Sequence, residues 1–386
     1  MSPAPTQRAA ALAWPTLAWL FAFACSAPPR PAGPAAAPPP ASSRFATALD
    51  HFFASEFQAD EPGGAILVMK GDRVVFARGY GLADLKTRQP VSTRTLFNVA
   101  SVTKPFVASA ILMLQEQGKL SVEDKLITYF PGFKNKDIAA RVQLKHLLTH
   151  TSGLPDLRNV RENVAFYLTA KDAENWYPTT QADALEFEPG SQFAYSNPAF
   201  DGLALIVEQV SGVKWQSFVH DRIFVPAGMT TSTITDGPYP ESGVAHGYLK
   251  LKGEWSEADY GELPTFAAAG NGGVWSSVEE LARFELAQRN AVFLRPATIA
   301  DARTIKTFPN WTSATPPELG WSWFIKQTPD HLRTVGHTGH QGGFTANYVS
   351  LSDKAIFFVT LSNSPRDIDA FAAKILQELA RDSWLD

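Results

Sequence analysis

The chain has 386 residues, of which 45% are hydrophobic and 19% charged, and its formal net charge is −4. That balance is ordinary for a soluble globular protein with ample material for a large core. It lacks the dense basic run of a nucleic-acid binder, and no fixed-period repeat marks it as a solenoid or propeller.

The chain opens with MSPAPTQRAAALAWPTLAWLFAFACSAPP, which holds an apolar run from Ala9 to Ala24. A run of about 16 residues is short for a membrane-spanning helix and suits a signal peptide, here residues 1–25. Cys25 is the only cysteine, so no internal disulfide can form. It follows Ala24, as the lipidated cysteine follows a small residue in bacterial lipoprotein signals, although Ala22 stands where leucine is usual. Lipid attachment at Cys25 is therefore expected. The competing reading is that Cys25 leaves with a conventional signal peptide. Residues 26–43 are rich in Pro and Ala, cannot bury a core, and predict an extended, solvated tether. These features predict an exported, periplasmic or cell-envelope protein that meets a membrane only through its anchor.

From Arg44, the residues Phe45, Leu49, Phe52 and Phe53 fall on one helical face. GAILVMKGDRVVFARGYG reads as two strands turning at Gly71-Asp72. Residues 98–120, NVASVTKPFVASAILMLQEQGKL, read as an apolar helix that ends near Gly118. Residues 121–260 mix helical patterns with loops rich in Pro, Asn and Gly. GWSWFIK, TANYVSL and AIFFVTL then read as strands, with Ser352-Asp353-Lys354 turning the last two. IDAFAAKILQELARDSW is an amphipathic helix with Ile368, Phe371, Ile375 and Leu379 on one stripe. The predicted fold class is α+β: one antiparallel sheet built from both ends of a domain at 44–386 and flanked by the terminal helices. A mostly helical subdomain spans about 130–260, and a ligand cleft lies between the two parts.

The apolar helix carries a hydroxyl, Ser101, and an amine, Lys104, three residues apart and so on one face. A lysine in a dry pocket loses hydration, which disfavours its ammonium form. Lowering its pKa to near neutrality takes roughly 4 kcal/mol, and the resulting amine can accept a serine proton. The helix N-terminus adds free N–H groups and a positive dipole end. The same two residues also fit an N-cap serine with a snorkelling lysine. A second match, Ser211 to Lys214, falls at a helix end.

Two further motifs follow in order. FAYSNPAF contains Tyr195-Ser196-Asn197, and VGHTGHQGGF contains His337-Thr338-Gly339. The ordered set SxxK, YxN and [K/H]TG resembles the penicillin-recognising serine hydrolases. That family includes class C β-lactamases, D-alanyl-D-alanine carboxypeptidases, D-aminopeptidases and β-lactamase-like esterases. LLTHTSGLP, FEPGSQFAYSN, EQVSG, GNGGVWSS and GHTGHQGGF are also similar to segments of that family, so the resemblance runs from residue 45 or so to the C-terminus.

The resemblance implies a β-lactamase-like fold, no cofactor, and an acyl-enzyme formed on Ser101. It implies that Lys104 acts as base or electrostatic partner, and that Tyr195 shares the base role, protonates the leaving group and later activates water. Asn197 would hydrogen-bond Lys104 and the substrate. His337, Thr338, Gly339 and His340 would form the edge strand along which substrate binds, with the backbone N–H groups of Ser101 and His340 as oxyanion hole. His337 stands where many β-lactamases have lysine. An imidazole mostly neutral at pH 7 favours an esterase or peptidase over a dedicated β-lactamase. No SDN and no GxSxG occurs, so the class A arrangement and the nucleophile elbow are unsupported.

The reading is an exported serine hydrolase cleaving a small ester or a D-amino-acid amide or peptide. The alternatives are a class C-like β-lactamase and a non-hydrolytic sensor that binds β-lactams or cell-wall fragments. His146 and His150 have the spacing of a helical zinc pair, but with no HExxH and no carboxylate in the motif no metal is expected. Trp176, Tyr177, Trp275, Trp321 and Trp323 are candidates for core or pocket wall, with Tyr177 the one favoured for a pocket.

Overall fold

GAILVMK and IFFVTLS, apolar at nearly every position, become neighbouring strands at the centre of an antiparallel sheet, paired from Gly64↔Ser362 to Lys70↔Ile356. Their unbroken hydrophobicity reflects burial on both faces, because successive side chains point to opposite sides of a strand. The computed structural model describes residues 44–385 except 159, 161–165, 237–238, 258–266, 268, 316 and 329. The apolar run 9–24, Cys25 and the segment 26–43 lie outside the described residues.

The six strands of the sheet are β1 (Gly64–Lys70), β2 (Arg73–Tyr80), β3 (Phe324–Gln327), β4 (Arg333–Gln341), β5 (Phe344–Leu351) and β6 (Ile356–Ser362), in the order β3-β4-β5-β6-β1-β2. Gly71 takes a positive φ of 63° in the β1–β2 turn, and Ser352–Lys354 forms a 3₁₀ turn between β5 and β6. The helices used below are α1 (Arg44–Glu56), α2 (Lys104–Glu116), α3 (Asp172–Thr180), α4 (Asn197–Ser211), α5 (Val278–Arg289) and α6 (Ile368–Arg381). One face of the sheet is covered by the terminal helices. Phe45, Leu49 and Phe53 of α1 meet Phe371, Ile375 and Leu379 of α6 over Ile66, Val68 and Phe358. The other face, with Leu67, Met69, Phe357 and Val359, belongs to the main core shared with α2, α4 and α5. The α+β assembly expected from the two ends of the chain is therefore present. The strand expected from GWSWFIK starts only at Phe324, because Trp321 and Trp323 turn into the core and Ser322 adopts a φ of 69°.

α5 is tied to the sheet by a buried charge. Glu285, with no exposed surface, accepts from Arg303 at 2.6 Å, Tyr348 at 2.5 Å and Ser350 at 2.7 Å. Desolvation raises its pKa, but the opposing Arg303 and Arg289 charges and these hydrogen bonds win and hold it at about 2. The unfolded carboxylate titrates near its ordinary value of 4.5, so the associated stability is present above that pH and is lost as pH falls towards 2. Glu285→Ala strands the Arg303 guanidinium in the core. It is expected to cost about 3–5 kcal/mol, a fall in Tm on the order of 10 °C by thermal melting at neutral pH, while a loss under about 1 kcal/mol excludes this account.

Candidate active site

Ser101 is placed by a neighbouring strand before any helix begins. Phe97 and Asn98 pair with Ser276 and Trp275, and the Val99 N–H donates to the Val274 carbonyl at 2.9 Å. The Asn98 side chain accepts from the Ala100 N–H at 2.8 Å, and Thr103 Oγ1 accepts from the Val274 N–H at 3.0 Å. Ala100 is thereby held at a φ of 48°, a conformation non-glycine residues rarely adopt outside over-determined sites. The helix predicted over 98–120 is accordingly shorter. Ser101 stands on a 3₁₀ turn, Ala100–Thr103, and α2 starts at Lys104 with Pro105 in its first turn, where proline is tolerated. A 3₁₀ turn has three residues per turn, so Ser101 and Lys104 eclipse one another. β4 presses on this turn. A Cβ at Gly339 would lie 2.4 Å from the Val99 carbonyl oxygen and 3.0 Å from the Ser101 nitrogen. Only glycine lets the third motif approach the first so closely.

Lys104 is 0% exposed. Its Nζ donates to Ser101 Oγ at 2.9 Å, Asn197 Oδ1 at 2.9 Å and the Asn271 carbonyl at 2.8 Å. Burial lowers its pKa, the Asp201 carboxylate opposes this and Arg158 adds to it, leaving the amine at about 7. Asn197 reaches Nζ because it opens α4 beyond the N-cap Ser196, whose Oγ accepts from the Ala199 N–H at 3.3 Å. Ser196 is extended (φ −128°, ψ 112°), and in extended chain residues i and i+2 share a side. That is the physical content of the YxN spacing: Tyr195 and Asn197 both face Lys104. The Tyr195 ring centroid is 5.0 Å from Nζ, and the ring stacks on His150 at 4.3 Å.

Every predicted site residue of the folded domain except Lys104 lines one cleft of about 300 Å³: Ser101, Tyr195, Asn197, His337, Thr338, Gly339 and His340, joined by Phe324. Lys104 forms its floor. Tyr195 is 41% exposed there. The third motif is not on the sheet's edge, as expected, but on β4, one strand in. β3 pairs only with its first half, from Phe324↔Gly336 to Gln327↔Arg333, so the half carrying His337 to His340 faces the cleft unobstructed by β3. His337 is buried, its Nδ1–H donates to the Thr338 carbonyl at 2.7 Å, and burial with the nearby Lys104 charge brings its pKa down to about 3. It is neutral at pH 7. His340, exposed at the surface, is also lowered, chiefly by desolvation and against the pull of Asp369.

His146 Nδ1 accepts from the Gln143 N–H and His150 Nδ1 from the Ser196 N–H, each at 3.1 Å, so both rings are backbone braces. Among the described residues no group of three or more His, Cys, Asp or Glu side chains could hold a metal ion. Trp176, Trp275, Trp321 and Trp323 are buried. Tyr177, favoured as a pocket wall, is instead 64% exposed on α3 and lines none of the cleft, because that helix turns Trp176 to the core and the adjacent position outward. Ser211 and Lys214 fall at the end of α4 and beyond it, with Lys214 paired to Glu208.

Sequence reasoning missed Asn271, Asp201, His150 as a ring shelf, and Phe324. Asn271 acts through its backbone carbonyl, which leaves no trace in residue identity. Asp201 did have a signal: it is a carboxylate inside the apolar run PAFDGLALIV.

The Beta-lactamase family model matches residues 45–381. The chain belongs to this family of β-lactamase-fold serine hydrolases. It is 28% identical over 329 residues to a penicillin-binding protein of Bacillus subtilis (strain 168), covering 79% of this chain and 69% of that one. Among solved structures, a penicillin-binding protein from Bacillus halodurans superposes with a TM-score of 0.72 at 25% identity, covering 88% of this chain and 99% of that one. An octameric penicillin-binding protein homologue from Pyrococcus abyssi does so with a TM-score of 0.69 at 27% identity, over 82% and 73%.

Proposed function

We propose that the protein is an exported hydrolase that works through an acyl-enzyme on Ser101 and takes an uncharged small ester or D-amino-acid amide. The observation that carries this reading is Lys104: wholly buried, 2.9 Å from Ser101 Oγ, and with its pKa drawn to about 7. As a neutral amine Lys104 accepts the Ser101 proton while Oγ attacks the carbonyl carbon. The oxyanion is received by the backbone N–H groups of Ser101 and His340. One such donor is worth roughly 3–4 kcal/mol in the transition state. The proton passes by way of Tyr195 to the leaving alcohol or amine, and the acyl group stays on Oγ. Tyr195 and Lys104 then deprotonate a water that cleaves the acyl-enzyme, which restores Ser101. Asn197 holds both the amine and the substrate.

The preference for an uncharged substrate follows from the cleft wall. Neither His337 nor His340 offers a permanent cation, and apart from Lys104 at its floor no Lys or Arg lines the cleft among the described residues. A substrate carboxylate therefore finds no fixed partner in the wall. The adjoining cavity of about 370 Å³ joins Phe193, Trp311, Leu319 and Phe324 with the charged side chains of Glu318 and Lys326, and its aromatic part suits an apolar substituent.

Intact mass after mixing with a short-chain nitrophenyl ester, a β-lactam and a D-Ala-D-Ala peptide tests this. A transient adduct on Ser101 is expected with the ester, whose kcat/KM exceeds that of the two carboxylate-bearing compounds at least about tenfold. The reverse preference rejects the uncharged substrate, and no adduct from any of the three rejects the acyl-enzyme. Export and lipid attachment belong to the same reading and rest on residues 1–43. The mature N-terminus, read by mass spectrometry, is expected to be Cys25 carrying diacylglycerol, and an N-terminus beyond residue 25 rules the anchor out.

A further inference from the structure

The amine beneath the cleft is served by a second layer of buried acids. Asn271, whose carbonyl accepts from Lys104, is itself gripped: its Nδ2 donates to both Asp201 oxygens, at 3.0 and 2.8 Å, and its backbone N–H to Oδ1 at 3.3 Å. Asp201 lies on α4, one turn beyond Asn197, and has no exposed surface. Behind it is Asp172 of α3, whose oxygens accept from the Gly270 N–H and the Trp215 indole, each at 2.7 Å. The two carboxyls are close enough for each to shift the other's titration. Two anions cannot sit together in a dry site, so one must keep its proton. Asp172 is that one: burial and the neighbouring Asp201 charge push its pKa well up. Asp201, raised by burial to only about 6, is held down by Asn271, Arg158, the neighbouring Asp172 and Lys104. At pH 7 the arrangement reads neutral Asp172 beside the Asp201 carboxylate, Asp201 to the Asn271 amide, and the Asn271 carbonyl to the Lys104 amine. Asp172 also borders a cavity of about 420 Å³ that shares no lining residue with the catalytic cleft.

We propose that Asp201 is a positioning residue for the reaction: its carboxylate aims the Asn271 carbonyl at Lys104 and its charge sets the pH at which that amine gives up its proton. The inference rests on Lys104 as the base. Groups facing Lys104 from the elements around it are Asp201 on α4, Arg158 on the loop before α3, Tyr195 and His150 beside the α4 N-terminus, and His337 on β4. Asp201 is the only carboxylate among them. Arg158, fixed by Asp156 and Asn175, works in the opposite direction.

The test is the profile of kcat/KM against pH, from about pH 5 to 9, for ester hydrolysis by the wild type, Asp201→Asn, Asp172→Asn and Asn271→Ala. In Asp201→Asn the amine loses the anion that favours its charged form. The acid limb is expected to move at least about one pH unit lower, and the plateau to fall about tenfold as the base weakens. Asp172→Asn swaps one neutral donor for another and is expected to leave the limb in place. Asn271→Ala frees Asp201 to take up a proton more readily and is expected to move the limb in the same direction as Asp201→Asn. This variant carries the test if Asp201→Asn does not fold. An unmoved limb in a folded Asp201→Asn protein, or in Asn271→Ala where that variant stands in, overturns the proposal. A wild-type profile with no acid limb overturns Lys104 as base and this inference with it, so the two failures are distinguishable.

Discussion

Ser101→Ala is expected to lower hydrolysis of a short-chain nitrophenyl ester by at least about 10⁴-fold, the scale seen when a serine nucleophile is removed from a working catalytic unit. The substitution deletes one oxygen and leaves the rest standing. The 3₁₀ turn is held by Asn98, Val99 and Thr103 through contacts that do not involve the Ser101 side chain, and Lys104 keeps Asn197 and the Asn271 carbonyl. The fold should be intact, with a Tm within a few degrees of the wild type, so lost rate reads as lost chemistry. Whatever rate persists comes from binding and from the backbone N–H groups that receive the oxyanion. Purified protein lacking residues 1–43, assayed beside the variant, decides the matter, and equal rates for the two proteins reject Ser101 as nucleophile.

Lys104→Met is expected to cost about 10²–10⁴-fold in kcat/KM, the range ascribed to a positioned base, and to erase the acid limb of the pH profile. The sign follows from the amine's pKa of about 7: below it Lys104 is an ammonium and cannot accept the Ser101 proton, above it the base is free, so the wild-type rate climbs through neutrality. Stability moves with the same titration. The unfolded chain binds this proton up to about 10.5 but the folded one only to about 7, so the contribution of Lys104 to stability rises with pH across that window. In the variant that slope disappears. Thermal melts at several pH values alongside the rate profile check both halves. An acid limb that survives in Lys104→Met assigns it to another group and rejects the lysine base.

The three motifs were legible because each is a local statement: a hydroxyl and an amine three apart, a phenol and an amide two apart, and a glycine in a strand. Their backbone settings were less so. SVTK sits in an apolar run with good helical periodicity, yet the residues before Lys104 are taken by the strand Val274–Ser276, and that pairing is set some 170 residues away in the chain, as the Thr103–Val274 hydrogen bond records. The third motif's position one strand in from the edge depended on the short strand β3, whose start was shifted by two tryptophans entering the core. Tyr177 was misplaced for a similar reason. Two adjacent aromatics on a helix cannot both face inward, and Trp176 has the core.

The amino-acid order alone determined the candidate site groups and the α+β class, because motif spacing and hydrophobic patterning are properties of neighbouring residues. Only the tertiary structure decided how dry Lys104 is, that a carbonyl from residue 271 completes its shell, and that Asp201 and Asp172 stand behind it. Dielectric environment and the meeting of distant backbone groups arise from packing, and packing is a property of the whole fold, not of any one segment.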